Sequence, residues 1–224
     1  RVGSNNTRNV MATAAAAGAF ESKMVPVFPL KVSRDLLLFG GRGVIVALPH
    51  AGNWDHAGAY FCLKGIHLVT VAERLKPERL FNEFLRYRQA MGMEVLALDS
   101  RSIATLAQRL REGHLIALVA DRDLSKSGID VDFFGKPARM PAGPAVLALK
   151  TGAIFLTAFV NYTKNGIHIT FDEISIPESG SQEEKVSVLV QKSADNFEQG
   201  IRRHPQDWHM LQRIWIDEDF KERV

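Results

Sequence analysis

His50 and Asp55, the ends of His50-Ala-Gly-Asn-Trp-Asp55, are the two residues whose types and spacing best suit chemistry. A histidine takes a proton from a hydroxyl when its other ring nitrogen is held in the right tautomer, and a buried carboxylate does that. A turn followed by one turn of helix can fold Asp55 back beneath the ring. Spacing alone says little. With 25 acidic residues among 224, roughly one histidine in nine meets an acid five places on by composition alone, and His168 with Glu173 repeats the pattern. That second pair lies in the alternating run 166–174, where an odd offset puts two side chains on opposite faces of a strand. It makes no dyad.

The elements around the first pair favour it. Val44-Ile-Val-Ala-Leu-Pro49 is a β-branched apolar run closed by Pro49 and reads as a buried strand, and Asn53 or Asp55 can cap the helix that follows. His50 then stands at the carboxyl end of a strand, where open α/β sheets meet their ligands. Further strands are expected over 65–71, 93–98, 114–120, 153–160 and 166–174, the last two joined by a turn over 161–166. Helices are expected from Pro77, over 103–111, from Pro141 and over 183–200. This alternation predicts an α/β fold with a mixed, largely parallel sheet flanked by helices. Right-handed crossovers bring the ends of parallel strands to one edge, which gathers His50, Glu73 and Asp121. The polar, punctuated stretch 125–140 reads as a long loop, and long loops in compact domains are usually functional.

Composition fits a globular chain. It is 46% hydrophobic and 24% charged, with a formal net charge of +3, and residues 1–224 read as a single domain whose first 42 residues carry no clear pattern. Leu36-Leu-Leu-Phe39 there suits core, or else a membrane-facing patch. Lys and Arg gather between Lys64 and Arg139, which suits phosphates or an anionic membrane face. The lone Cys62 excludes an internal disulfide and suits a reducing compartment. No stretch has the unbroken apolar length of a membrane span, so any membrane contact is expected to be peripheral.

Four blocks, in order, resemble one family: His50 to Asp55, Ala120-Asp-Arg-Asp123, Val131-Asp-Phe-Phe-Gly135 and Pro141-Ala-Gly-Pro-Ala145. Together they look like the bacterial lysophospholipid acyltransferase superfamily, in the branch of lipid A late acyltransferases and actinobacterial phosphatidylinositol mannoside acyltransferases. Aspartate at position 55 and the Ala120-Asp-Arg-Asp-Leu124 block look more like the mannoside enzymes. The resemblance implies transfer of a long acyl chain, typically palmitoyl, from acyl-CoA to the 6-hydroxyl of a mannose. Acyl-CoA would be a co-substrate with no separate cofactor. The acceptor would be a glycolipid at the cytoplasmic face of the plasma membrane, with no nucleic-acid partner. His50 would be the base, Asp55 its orienter, and Asp121 a second candidate for that support.

Elementary chemistry agrees. A thiolate leaves readily, so one base plus oxyanion stabilisation suffices and no serine or cysteine nucleophile is required. Backbone amides near Gly52 and Asn53 are candidate oxyanion donors. Arg88, Arg122, Lys126 and Arg139 are candidates for the CoA phosphates; Arg88 is favoured because the family has an arginine near this position. Glu73, Asp123 and Ser127 are further candidate substrate contacts. Tyr60, Phe61, Leu63 and Phe84 suit an acyl groove, though each suits ordinary core as well. Two other classes compete: a metal hydrolase with His50, Asp55 and His56 as ligands, and a non-catalytic module binding phosphoinositides or membrane.

Overall fold

A computed structural model of the chain describes residues 42–73, 76–99, 101–123 and 125–216. The N-terminal run 36–39 lies outside them. Six strands form one sheet in the order β3, β2, β4, β1, β7, β8: β1 (Val44–Leu48), β2 (Leu68–Ala72), β3 (Glu94–Ala97), β4 (Leu115–Val119), β7 (Ile154–Thr163) and β8 (Gly166–Glu173). The first five of that order run parallel, and β8 returns antiparallel to β7. This is the mixed, largely parallel α/β sheet that the alternation of elements predicts.

Among the described residues five helices cover the sheet: α1 (Trp54–Leu63), α2 (Glu78–Ala90), α3 (Ser102–Arg111), α4 (Gly143–Thr151) and α5 (Gln182–Arg203). Every residue of β1 is buried because both faces are covered, as central parallel strands require. Ile45 and Ala47 face Leu106, Leu147 and Leu189 of α3, α4 and α5. Val44, Val46 and Leu48 face the other way, toward Ala57 and Ala59 of α1 and Met93. Each valine, leucine, isoleucine or methionine among them contributes about 1.5–3 kcal/mol by leaving water. The strand ends are thus fixed by a two-sided core.

Two boundaries differ from expectation. Residues 129–140 are not a loop. They form an antiparallel hairpin, β5 (Ile129–Phe133) and β6 (Lys136–Met140), whose alternate residues Val131, Phe133, Ala138 and Met140 are buried. Phe134 and Gly135 at the tip both have positive φ, +56° and +73°, as a two-residue hairpin turn of matching twist demands. Likewise β7 runs on to Thr163, so its turn into β8 is only Lys164 and Asn165.

After α5 a short 3-10 turn, Pro205–Asp207, leads into a strap. Its Trp208 pairs with Ala51 and its Trp215 with Ala138. The strap joins the hairpin to the turn that carries His50.

Candidate active site

Register places the central pair. Leu48 of β1 is opposite Val119 of β4, so His50 and Asp121, each two residues further on, emerge side by side. His50 Nδ1 lies 2.6 Å from Asp121 Oδ1, and the backbone N–H of His50 donates to Asp121 Oδ2 at 2.9 Å. The Asp121 carboxylate is completely buried. Burial pushes its carboxyl pKa up, but the His50 ring, the Trp208 indole N–H at 3.0 Å and the His50 amide outweigh that and hold it below the usual range. An ionised carboxylate only accepts, so it selects the tautomer with the proton on Nδ1 and leaves the Nε2 lone pair for a substrate. The ring stands edge-on to Trp54, with centroids 5.5 Å apart.

Asp55 does something else. Its carboxylate takes two bonds from Arg88, Nε to Oδ1 at 2.7 Å and Nη2 to Oδ2 at 3.3 Å, so the expectation that Asp55 orients His50 is corrected in favour of Asp121. The reason is geometric: the first turn of α1 points Asp55 at the last turn of α2. An acid at a helix N-terminus and a base at a helix C-terminus each also complement the helix dipole. Asn53 caps α1 by accepting from the His56 N–H at 2.9 Å.

His50 and the Asp55–Arg88 pair border one cleft of about 650 Å³, whose lining also includes Glu73, Arg122, Asp123 and Ser127, while Asp121 lies buried behind His50. Phe81, Phe84, Leu98, Ile103 and Leu106 supply an apolar wall. A smaller apolar cavity of about 70 Å³ shares Trp54, Asp55 and Arg88 with the cleft and is lined further in by Phe61. Tyr60 and Leu63 line neither, and Leu63 is exposed.

Three other expectations change. Arg139 does not line the cleft; it grips Asp130 through Nε at 2.5 Å and Nη2 at 3.2 Å, and donates to the Ser125 carbonyl at 3.3 Å. It braces the loop rather than reaching for a phosphate. Lys126 is exposed and also outside the cleft lining. The Gly52 amide donates to the Asp207 carbonyl at 2.8 Å, so it is not available as an oxyanion donor. Asp123 lines the cleft but spends Oδ1 on the Ser125 amide at 2.7 Å, shaping the loop. Arg122 is different: it lines the cleft and makes no ion pair or hydrogen bond among the described residues.

The family model for bacterial lipid A biosynthesis acyltransferases matches residues 37–216. The chain belongs to this family. It is 43% identical over 185 residues to the phosphatidylinositol mannoside acyltransferase of Mycobacterium tuberculosis, covering 81% of this chain and 57% of that protein. A second match, to the phosphatidylinositol mannoside acyltransferase of Mycolicibacterium smegmatis, is 43% identical over 189 residues, 83% of this chain and 61% of that protein. The chain therefore spans somewhat over half the length of the curated relatives it matches.

Within this lipid A acyltransferase family member, the strap is the part of the site that sequence reasoning missed. Trp208 touches Asp121 across 87 residues of chain, and the His209 amide donates to the His50 carbonyl at 2.7 Å. No local spacing signals either contact. The metal reading loses its ligands: Asp55 is taken by Arg88 and Nδ1 of His50 by Asp121. Among the described residues no three His, Cys, Asp or Glu side chains converge to hold a metal ion. Among the same residues no helix is long and apolar enough to cross a membrane.

Proposed function

We propose that the protein is an acyl-CoA-dependent O-acyltransferase that moves a long acyl chain, typically palmitoyl, to the 6-hydroxyl of mannose in a phosphatidylinositol mannoside. The observation that carries the chemistry is the buried Asp121 carboxylate on Nδ1 of His50 at the wall of the cleft. Nε2 of His50 takes the proton of the acceptor hydroxyl as its oxygen bonds to the thioester carbonyl carbon. The tetrahedral intermediate then collapses, the C–S bond breaks, and CoA leaves as a thiolate that the imidazolium or water can protonate. Asp121 keeps the ring in the productive tautomer and stabilises the imidazolium.

The cleft suits both substrates. Arg122, unpaired among the described residues, offers a cation to a CoA phosphate, and the apolar wall of Phe81, Phe84, Leu98 and Ile103 accepts acyl methylenes at about 0.8 kcal/mol each. The small apolar cavity can take only the end of a chain. A glycolipid acceptor has its headgroup in water and its tails in a bilayer, so the protein acts as a peripheral enzyme at the cytoplasmic face of the plasma membrane.

The test is product mass spectrometry after incubating the protein with palmitoyl-CoA and a panel of mannosylated phosphatidylinositols, lipid A precursors and lysophospholipids. Palmitate on a mannose of the first class supports the proposal. Transfer of lauroyl or myristoyl groups to a lipid A precursor instead makes it a lipid A-type enzyme. A His50→Ala protein that folds and still transfers at the wild-type rate overturns the assignment of the base, and lipid binding with no transfer by the wild type leaves a membrane-binding module.

A further inference from the structure

We infer that Trp208 is a positioning residue for acyl transfer: its indole N–H fixes the rotation of the Asp121 carboxylate so that Oδ1 meets Nδ1 of His50. The inference rests on His50 being the base. Asp121 receives three N–H contacts, and they are divided unequally: Oδ1 meets only the His50 ring, while Oδ2 accepts from the His50 amide at 2.9 Å and from Trp208 Nε1 at 3.0 Å. Two donors on one oxygen pin the carboxylate plane. With the amide alone, the group keeps a rotation about its Cβ–Cγ bond that moves Oδ1 away from the ring.

The indole is itself held. Phe134 stacks on it with centroids 6.4 Å apart and an interplanar angle of 27°, and Phe133 meets it edge-on at 6.0 Å. Main-chain bonds from Gly52 to Asp207 and from His209 to His50 stitch the strap to the turn independently of any side chain. The backbone would therefore keep its place with another aromatic at 208, and the N–H donor can be removed separately from the packing. This chain of contacts runs from the hairpin tip to the base, and gives the β5–β6 hairpin a part in holding the site.

Trp208 also shares the charge of Asp121. Removing its N–H leaves the His50 amide as the one remaining donor to Oδ2, so the ring loses its fixed acceptor while the donor-binding wall of the cleft is untouched. The charged groups that share the cleft with His50 are Asp55 and Arg88, which are paired to each other, and Glu73, Arg122 and Asp123. From the strap, His209 also faces it; burial, the largest cause, and the nearby His50 lower the His209 pKa against the opposing pull of Asp207.

The test compares Trp208→Phe, and the 3-benzothienylalanine variant that keeps the bicycle but replaces N–H by sulfur, with the full wild-type protein. Both are expected to lose kcat by about tenfold to a hundredfold, with the donor KM nearly unchanged. The benzothienyl variant decides the matter where Trp208→Phe does not fold. A folded variant with wild-type kcat, or one whose loss lies in the donor KM, overturns the inference. His50→Ala run alongside separates the failures: if it is active the base assignment falls, and if it is dead while the Trp208 variants are normal only the role of Trp208 falls.

Discussion

The same sheet carries histidine–carboxylate contacts at both ends, and the two ends are built differently. At the carboxyl end His50 meets Asp121, which is wholly buried and, among the described residues, accepts only from His50 and the Trp208 indole. At the amino end His67 lies 3.1 Å from Glu94, and His114 lies 3.4 Å from Glu112. There Glu94 is partly exposed and Glu112 exposed, and Arg109 competes for both, bonding Glu94 through Nε at 2.9 Å and Glu112 through Nη1 at 2.9 Å. The two rings also lean on each other, with centroids 4.2 Å apart. A carboxylate shared with a guanidinium and water does not select a tautomer or hold a ring. Proximity of an acid to a histidine is common; a buried carboxylate shared with no other charge is what a general base needs.

The largest expected effect breaks or upholds that contrast directly. Asp121→Asn should reduce kcat by about 10³–10⁴-fold, because an amide can present its N–H to Nδ1 and stabilise the wrong tautomer. Glu94→Gln should leave kcat/KM within about twofold of wild type. Steady-state transfer assays on the two variants check this, and comparable losses in both would erase the distinction between the ends.

Stability should separate a third pair, Asp55 with Arg88, from the surface pairs. Side-chain exposures of 13% and 18% make it nearly buried, whereas Glu83 with Arg86 is exposed. Arg88→Met strands a carboxylate beside an apolar cavity and should cost about 2–3 kcal/mol, read by denaturant unfolding. Arg86→Met should cost about 0.5 kcal/mol or less. The double variant Asp55→Leu with Arg88→Met should lose less than the two single losses added, since no lone charge remains.

Much of this arrangement is legible in the sequence. The apolar run into Pro49 and the matching run into Ala120 mark two strand ends, and parallel topology alone brings His50 and Asp121 to one edge. What the sequence does not carry is register and helix phase. Asp55 is five residues from His50, yet a helix start turns it toward Arg88, and only the facing of Leu48 and Val119 puts Asp121 under the ring. Ile129, Val131 and Phe133 do alternate with polar residues, so the hairpin had a signal; Pro137 and the polar surroundings masked it. Trp208 had none, because a tryptophan 87 residues from its carboxylate reports nothing by spacing.

Acid denaturation offers a smaller effect with a definite sign. The Asp121 carboxyl is held below its usual 3.8, so the folded protein binds that proton less readily than the unfolded chain. Its stabilisation is full above the unfolded value and is lost as pH falls through the folded one. Asp121→Asn should therefore flatten the acid limb of a Tm–pH curve while lowering Tm at neutral pH. Equal acid limbs in the two proteins would mean the carboxylate is not charged in the fold.

The smallest effect belongs to the amino end and is the sharpest check on why it differs. Burial is the main cause of the lowered His114 pKa, and the charge on His67 is the next. A histidine that is harder to protonate when folded loses stability as pH falls below the usual 6.5. His67→Asn removes only the second cause, so the His114 titration, followed by NMR, should move up part of the way toward 6.5. Stability at neutral pH should change by no more than about 0.5 kcal/mol, and acyl transfer should be unaltered. A change in transfer would mean that the amino end of the sheet communicates with the carboxyl end, which the rigid, two-sided core of β1, β2 and β4 gives no reason to expect. The two ends would then differ in degree and not in kind.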